Sequence, residues 1–125
     1  MEALVNVVGD DLLRADNVDR VTAEIIAQGA NIPATPDAER WLHEHGVLVL
    51  PDFIANAGGV ICAAMEYHGA TQAAALQTIE EKLRRNTEQV METAKSKLIL
   101  PRQAAIELAE QRVRRAMSFL PGWSP

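Results

Sequence analysis

The chain has 125 residues, of which 48% are hydrophobic and only 4% aromatic, and its formal net charge is −5. This length suffices for a single hydrophobic core, so we expect one domain over residues 1–125. The acidic balance and the scarcity of aromatics argue against a nucleic-acid surface. The absence of a long apolar segment or a signal-peptide pattern predicts no membrane partner and a cytoplasmic location.

Three apolar runs predict β-strands, at residues 3–8, 21–27 and 47–50. A polar connection, residues 10–18, follows the first run and is long enough for one helical turn. The third run shows no alternation of apolar and polar residues, which is typical of a strand buried on both faces.

A short helix is predicted between the second and third strands. Thr35 followed by Pro36 is typical of a helix start, and Gly46 after His45 is typical of a helix end. Strand, helix and strand form a βαβ unit with parallel strands, and such a unit needs further strands to complete a stable sheet. We therefore predict an α/β fold.

The rest of the chain predicts three helices. The first, residues 56–67, is apolar on nearly all sides, which predicts burial, although Gly58 and Gly59 are costly in a helix. Residues 71–120 then predict two amphipathic helices, separated near Pro101 and packed on the sheet as an antiparallel pair. Their predicted inward stripes are Leu76, Ile79, Leu83, Val90 and Ala94, and Ile106, Ala109, Val113, Met117 and Leu120.

Two asparagines follow predicted strands, Asn31 after the second and Asn56 after the third. The carboxyl ends of parallel strands lie at one edge of a sheet, where such folds bind ligands. A carboxamide offers both a donor and an acceptor, which suits another carboxamide, a ribose or an α-amino acid. The alternative is that Asn31 only shapes a proline-rich turn and Asn56 only caps a helix.

The loops that carry these asparagines resemble those of the glutamate/leucine/phenylalanine/valine dehydrogenases. Residues 29–36, Gly-Ala-Asn-Ile-Pro-Ala-Thr-Pro, resemble that family's Gly-Ala-Asn-x-Pro-Thr-Thr-Pro segment, and residues 56–60 match its Asn-Ala-Gly-Gly-Val segment. The resemblance covers most of the chain and implies the C-terminal part of the family's nucleotide-binding domain. The fold would be an incomplete Rossmann-like parallel sheet, with the βαβ unit and buried helix in about residues 1–70 and the helical pair in about 71–120.

The resemblance also implies contacts with NAD or NADP and with an amino acid or 2-oxo acid. The implied cofactor contacts are Gly29, Ala30, Asn31 and Asn56, and the implied substrate contacts are Asn56, Val60 and Ala63. Glutamate-specific members usually have serine at the position of Ala63, so this departure argues against glutamate. A second departure is Asn6, where the family commonly has proline.

No catalytic residue is predicted in this chain. It contains no G-x-G-x-x-G segment, and the family's catalytic Lys and Asp belong to an earlier domain. Lys82, Lys95 and Lys97 lie on amphipathic helices and are expected at the surface. The resemblance therefore implies a fragment of an NAD(P)-dependent L-amino-acid dehydrogenase, inactive alone, that oxidatively deaminates its substrate to a 2-oxo acid and ammonium in the complete enzyme.

The alternative is a stand-alone interaction or regulatory module descended from that enzyme. It would bind a partner or self-associate through an exposed sheet edge or apolar face. No metal site is predicted, because His43 and His45 point away from each other on a helix. The single cysteine, Cys62, excludes an internal disulfide and is expected in the core.

Overall fold

A computed structural model describes residues 2–6 and 10–120 of the chain. Val7 and Val8 of the first predicted strand lie outside the described residues, as do Met1, Gly9, residues 121–125 and the side chains of Val5 and Asn6. The elements, in chain order, are β1 (Ala3–Asn6), a 3₁₀ turn (Val18–Arg20), β2 (Ile25–Gln28), α1 (Pro36–Glu44), β3 (Leu48–Leu50), α2 (Asp52–Ala55), α3 (Gly58–Tyr67), α4 (Gln72–Lys97) and α5 (Pro101–Met117).

The three strands form a parallel sheet in the order β1-β2-β3, as the βαβ prediction requires. In the central strand, Ile26 aligns with Leu4 on one side and with Val49 on the other. The prediction that residues 47–50 are buried on both faces is wrong, because Val49 is buried whereas Leu48 is 43% exposed. Leu48 is exposed because β3 lies at the edge of the sheet, where among the described residues it pairs only with β2. Leu48 also borders an open apolar pocket.

Helix α1 begins and ends where its sequence predicts. The hydroxyl of Thr35 accepts a hydrogen bond from the backbone N–H of Ala38, and Pro36 occupies the first turn. Gly46 follows the helix at φ +78°, a left-handed conformation that glycine adopts without steric cost. The core between this helix and the sheet consists of Leu13, Val18, Ile26, Ala34, Ala38, Leu42 and Val49, with Trp41 packed against it as an apolar neighbour.

The predicted burial of the apolar helix is wrong. Helix α3 has no fully buried residue, Val60 is 77% exposed, and Cys62 is only half-buried. Its main neighbour is α4, toward which Gly58 faces with Ile79 close by. An apolar helix gains free energy when neighbouring elements bury it, but its actual burial depends on which elements pack around it.

Helices α4 and α5 form the predicted antiparallel pair. The hydroxyl of Thr71 caps the start of α4, and Leu98 ends this helix in a left-handed conformation at φ +55°. Lys97 at the end of α4 pairs with Glu107 on α5, whereas Arg112, later on α5, donates to Asn86 and Gln89, earlier on α4, as antiparallel packing requires. None of the helices in the described part of the chain is both long enough and apolar enough to cross a membrane.

The predicted inward stripe of α5 is wrong, whereas that of α4 holds except at Leu76. Leu76, Ile106 and Val113 are exposed. The inner face of α5 is instead Pro101, Ala104, Ala105 and Leu108. Small alanines allow the backbone of α5 to approach the second core, which also contains Ile54, Val90 and Ala94.

Candidate functional site

The two predicted asparagines meet in space. Nδ2 of Asn56 donates a hydrogen bond of 2.8 Å to Oδ1 of Asn31, across 25 residues of sequence. This contact uses one donor of Asn56 and the acceptor of Asn31. Within the described part of the chain neither carboxamide makes another hydrogen bond, so the Asn31 NH₂ group and the Asn56 carbonyl oxygen can bind a ligand.

The local structure contradicts the capping alternative for Asn56. Asn56 directly follows α2 as its C-cap, and the N-cap of α3 is Ala57, with no side-chain cap hydrogen bond. Asn31 lies in the loop after β2, beside Ile32, whose backbone has φ +45°. Both asparagines therefore use their side chains on each other, in a contact that joins the ends of two adjacent parallel strands.

The other predicted site residues have different surroundings. Gly29 and Ala30 are half-buried in the loop that carries Asn31. Val60 and Ala63 are exposed and three residues apart on α3, so they share one face of that helix.

A buried polar cluster lies beneath the asparagine pair, and sequence reasoning missed it. It consists of Gln28, Glu39, Asp52 and Arg102, and we call it the Arg102 cluster. Nε of Arg102 donates to Oε2 of Glu39 at 2.7 Å, and Nη2 donates to Oε1 of Glu39 at 2.8 Å. Gln28 donates to Glu39 at 2.9 Å and accepts from Arg102 at 2.9 Å, so the guanidinium, the Glu39 carboxylate and the amide satisfy one another.

Asp52 connects this cluster to the Asn31 loop. Its Oδ2 accepts a hydrogen bond of 2.9 Å from the backbone N–H of Ile32. Its Oδ1 forms an ion pair of 2.9 Å with Nη1 of Arg102, although this oxygen has no hydrogen bond of good geometry. Burial favours a higher pKa of Asp52, but the N–H groups of Ile32 and Phe53 and the charge of Arg102 outweigh it and hold the pKa below its ordinary value of 3.8.

The lowered pKa of Asp52 predicts a pH dependence of stability. A carboxyl whose pKa is lower in the folded state contributes stability above its unfolded pKa and loses it as the pH falls through the folded value. Asp52→Asn removes this contribution. The difference in free energy of unfolding between the wild type and Asp52→Asn should therefore be largest above about pH 4 and narrow at lower pH.

Urea titrations at a series of pH values measure this difference, and the carboxylates common to both proteins cancel. A difference that stays constant from neutral pH to the acid limit of folding would show that Asp52 does not titrate with a lowered pKa.

The pKa of Arg102 shifts in the opposite direction to that of Asp52. Hydrogen bonding to Glu39 outweighs burial and raises the pKa of Arg102 above its ordinary value.

One sequence signal could have revealed the Arg102 cluster. In β2, Ile26 and Gln28 are the buried residues and alternate with half-buried ones, so Gln28 points to the same face as Ile26. A glutamine on the buried face of a strand needs hydrogen-bonding partners. The sequence shows the need, but the partners lie 11, 24 and 74 residues away and only the tertiary structure identifies them.

The fold has counterparts among known proteins. The sequence profile of the Glutamate/Leucine/Phenylalanine/Valine dehydrogenases matches residues 7–120. The chain belongs to this family. Dehydrogenases of known structure share its α/β fold.

Individual relatives of this dehydrogenase-family chain are longer. A glutamate dehydrogenase of Aeropyrum pernix is 40% identical over 98% of this chain and 32% of its own length. The NADP(+)-dependent glutamate dehydrogenase of Pyrobaculum calidifontis is 39% identical over 98% of this chain and 31% of its own. The structure of an L-tryptophan dehydrogenase from Nostoc punctiforme matches with a TM-score of 0.83 and 25% identity, over 92% of this chain and 34% of its own. The chain thus spans about a third of the length of these relatives.

Proposed function

We propose that this chain is the C-terminal part of the nucleotide-binding domain of an NAD(P)-dependent L-amino-acid dehydrogenase. The observation that carries the proposal is the hydrogen bond between Asn31 and Asn56, which places two carboxamides at the carboxyl ends of β2 and β3. Ligands bind at this edge in open parallel sheets. Membership in the dehydrogenase family and relatives named for glutamate and tryptophan support an amino acid as the substrate.

In this proposal the nicotinamide carboxamide and ribose of NAD or NADP are held by Gly29, Ala30, Asn31 and Asn56. The residues fit such a group, because the paired carboxamides retain one free donor group and one free acceptor. When bound, the nicotinamide supplies a hydride acceptor for the α-carbon of the amino acid. The overall reaction is amino acid, NAD(P)⁺ and water to 2-oxo acid, ammonium, NAD(P)H and a proton.

The side chain of the substrate is assigned to the face of α3 that carries Val60 and Ala63. Both are apolar, and neither can hydrogen-bond a second carboxylate. This chemistry favours an apolar substrate side chain over that of glutamate. Among the described residues no acid/base side chain is hydrogen-bonded to the asparagine pair, so we expect no turnover from the 125 residues alone.

A second candidate is an interaction module that assembles through its apolar surface. The exposure of Val60, Tyr67, Ile106 and Val113 favours it, as does the open edge of β1, which in the described residues pairs only with β2. The same surface is expected where a dehydrogenase domain continues into further chain. The intact mass of the native protein distinguishes the dehydrogenase part from the interaction module.

The first test is the intact mass of the native protein, isolated from its source cells with an antibody against this segment. The dehydrogenase proposal expects a polypeptide much heavier than 13.7 kDa. A native species of 13.7 kDa that binds neither NADH nor NADPH would contradict the proposal and favour the interaction module.

The second test replaces the paired asparagine in the native-length protein. Asn56→Ala should lower kcat/KM for the amino acid by about tenfold to hundredfold, because a buried ligand group loses its hydrogen-bonding partner. The rate of NAD(P)⁺ reduction at a series of amino-acid concentrations gives kcat/KM. Asn86→Ala is the matched control, since Asn86 pairs with Arg112 on the outer helices, and its activity should be unchanged. Equal activities of the two variants would contradict the assigned role of Asn56.

A further inference from the structure

Ile32 has an unusual backbone for its residue type. Its φ is +45°, in the left-handed region that β-branched residues rarely adopt. The next residue, Pro33, adds a restriction, because proline favours extended backbone in the residue before it. Such a conformation persists only where the surroundings hold it, and here it lies directly after Asn31. The conformation of Ile32 therefore shapes the loop that carries Asn31.

Two hydrogen bonds hold Ile32 in this conformation. Its carbonyl oxygen accepts from the backbone N–H of Asp11 at 2.8 Å, and its own N–H donates to Oδ2 of Asp52 at 2.9 Å. Asp52 is the first residue of α2, and Asn56 is the residue that ends it. The two ends of the same short helix thus hold two adjacent loop residues, through Asp52 to Ile32 and through Asn56 to Asn31.

Asp52 is in turn held by groups outside both loops. Its backbone N–H donates to Oε1 of Gln28 at 3.1 Å, and Nη2 of Arg102 donates to the same oxygen at 2.9 Å. Nη1 of Arg102 lies 2.9 Å from Oδ1 of Asp52. The side chains of Arg102, Glu39 and Asp52 are only 28%, 7% and 9% exposed, so water screens these charges weakly.

We propose that Arg102 is a positioning residue, which fixes the Asn31–Asn56 pair by holding Asp52 against the backbone of Ile32. Arg102 lies on α5, a helix that carries none of the predicted site residues. Its planar guanidinium contacts Glu39 with one pair of donors while its remaining nitrogen contacts Asp52, an arrangement that a lysine cannot reproduce. What the pair then binds rests on the function proposed above.

A role limited to general stability would have different consequences. Loss of global stability alone would speed the exchange of a core amide such as that of Val90 at least as much as that of the Ile32 amide, because loop amides also exchange through local opening. Loss of positioning acts on Ile32 and Asn56 in the folded state. Site-specific measurements on the folded chain therefore separate the two roles.

The experiment uses the ¹⁵N-labelled 125-residue chain without any nucleotide. The variants are Arg102→Lys and Asp52→Asn, and the matched control is Arg112→Lys, because Arg112 also lies on α5 but donates to Asn86 and Gln89. Amide exchange of Ile32 is compared with that of Val90, which lies fully buried in α4. The coupling between the amide and α protons of Ile32 reports its φ, and the Asn56 side-chain NH₂ signals report the contact with Asn31.

We expect Arg102→Lys and Asp52→Asn each to speed exchange of the Ile32 amide by about tenfold more than that of Val90. The Ile32 coupling should change, and the two Asn56 NH₂ signals should move toward those of a free carboxamide. Arg112→Lys should change none of these. If Arg102→Lys does not fold, Asp52→Asn carries the test, because it keeps the ion pair of Arg102 with Glu39.

Ile32 and Asn56 signals that stay at their wild-type values in the folded variants would overturn the proposal. Because no nucleotide is present, this outcome is independent of the dehydrogenase proposal. Failure of NADH and NADPH to bind the native-length protein would instead contradict the proposed function and leave the measured positioning intact.

Discussion

Replacing Arg102 with methionine should lower the free energy of unfolding by about 3 kcal/mol, since removing one partner of a buried ion pair leaves a buried charge uncompensated. Methionine keeps an apolar, unbranched stem but has neither the guanidinium nor its charge. Glu39 and Asp52, at 7% and 9% side-chain exposure, would both lose their cationic partner. Urea unfolding followed by circular dichroism measures the change.

Arg112→Met is the control for Arg102→Met. Arg112 lies on the same helix and donates two hydrogen bonds, to Asn86 at 2.9 Å and to Gln89 at 2.8 Å, but it is exposed. Exposed polar contacts contribute about 0–1 kcal/mol, so this variant should remain close to wild type. A loss in Arg102→Met no larger than that in Arg112→Met would show that the Arg102 cluster does not stabilise the fold.

Leu42→Ala should destabilise the chain by about 3 kcal/mol, because it removes buried methyl groups and leaves a cavity. Leu42 is 0% exposed and lies in the core with Ile26 and Val49, between α1 and the sheet. Leu76→Ala makes the same chemical change on α4 at a residue that is 59% exposed, and it should cost less than about 1 kcal/mol.

Thermal and urea unfolding of Leu42→Ala and Leu76→Ala give the comparison directly. Since alanine is the best helix former, helix propensity favours both variants slightly and does not explain a difference. Similar losses in the two proteins would mean that the core beneath α1 is not the main source of stability.

Much of the site was predictable because its residues lie where parallel strands end. Asn31 and Asn56 each follow a strand, and parallel pairing brings such positions to one edge. The contact between them agrees with this expectation. Their contacts with a cofactor, and those of Gly29, Ala30, Val60 and Ala63 with cofactor or substrate, remain predictions.

The Arg102 cluster was not predictable in the same way. Glu39 has the sequence signature of an acid in the first turn of a helix, and Arg102 follows a helix-starting proline. Both features are explained locally without any long-range contact. A buried ion pair across 63 residues depends on how α5 is placed against α1, and no local pattern encodes that placement.

Sequence by itself determined the local structure of this protein. The caps at Thr35 and Thr71, the ends of α1 and α4 and the parallel βαβ unit follow from backbone chemistry within a few residues. Only the tertiary structure decided burial. Helix α3 and the stripe of Ile106 and Val113 are apolar yet exposed, while Arg102 is charged and largely buried. The reason is that apolarity determines the free energy gained on burial, whereas the position of neighbouring elements determines which surface is buried.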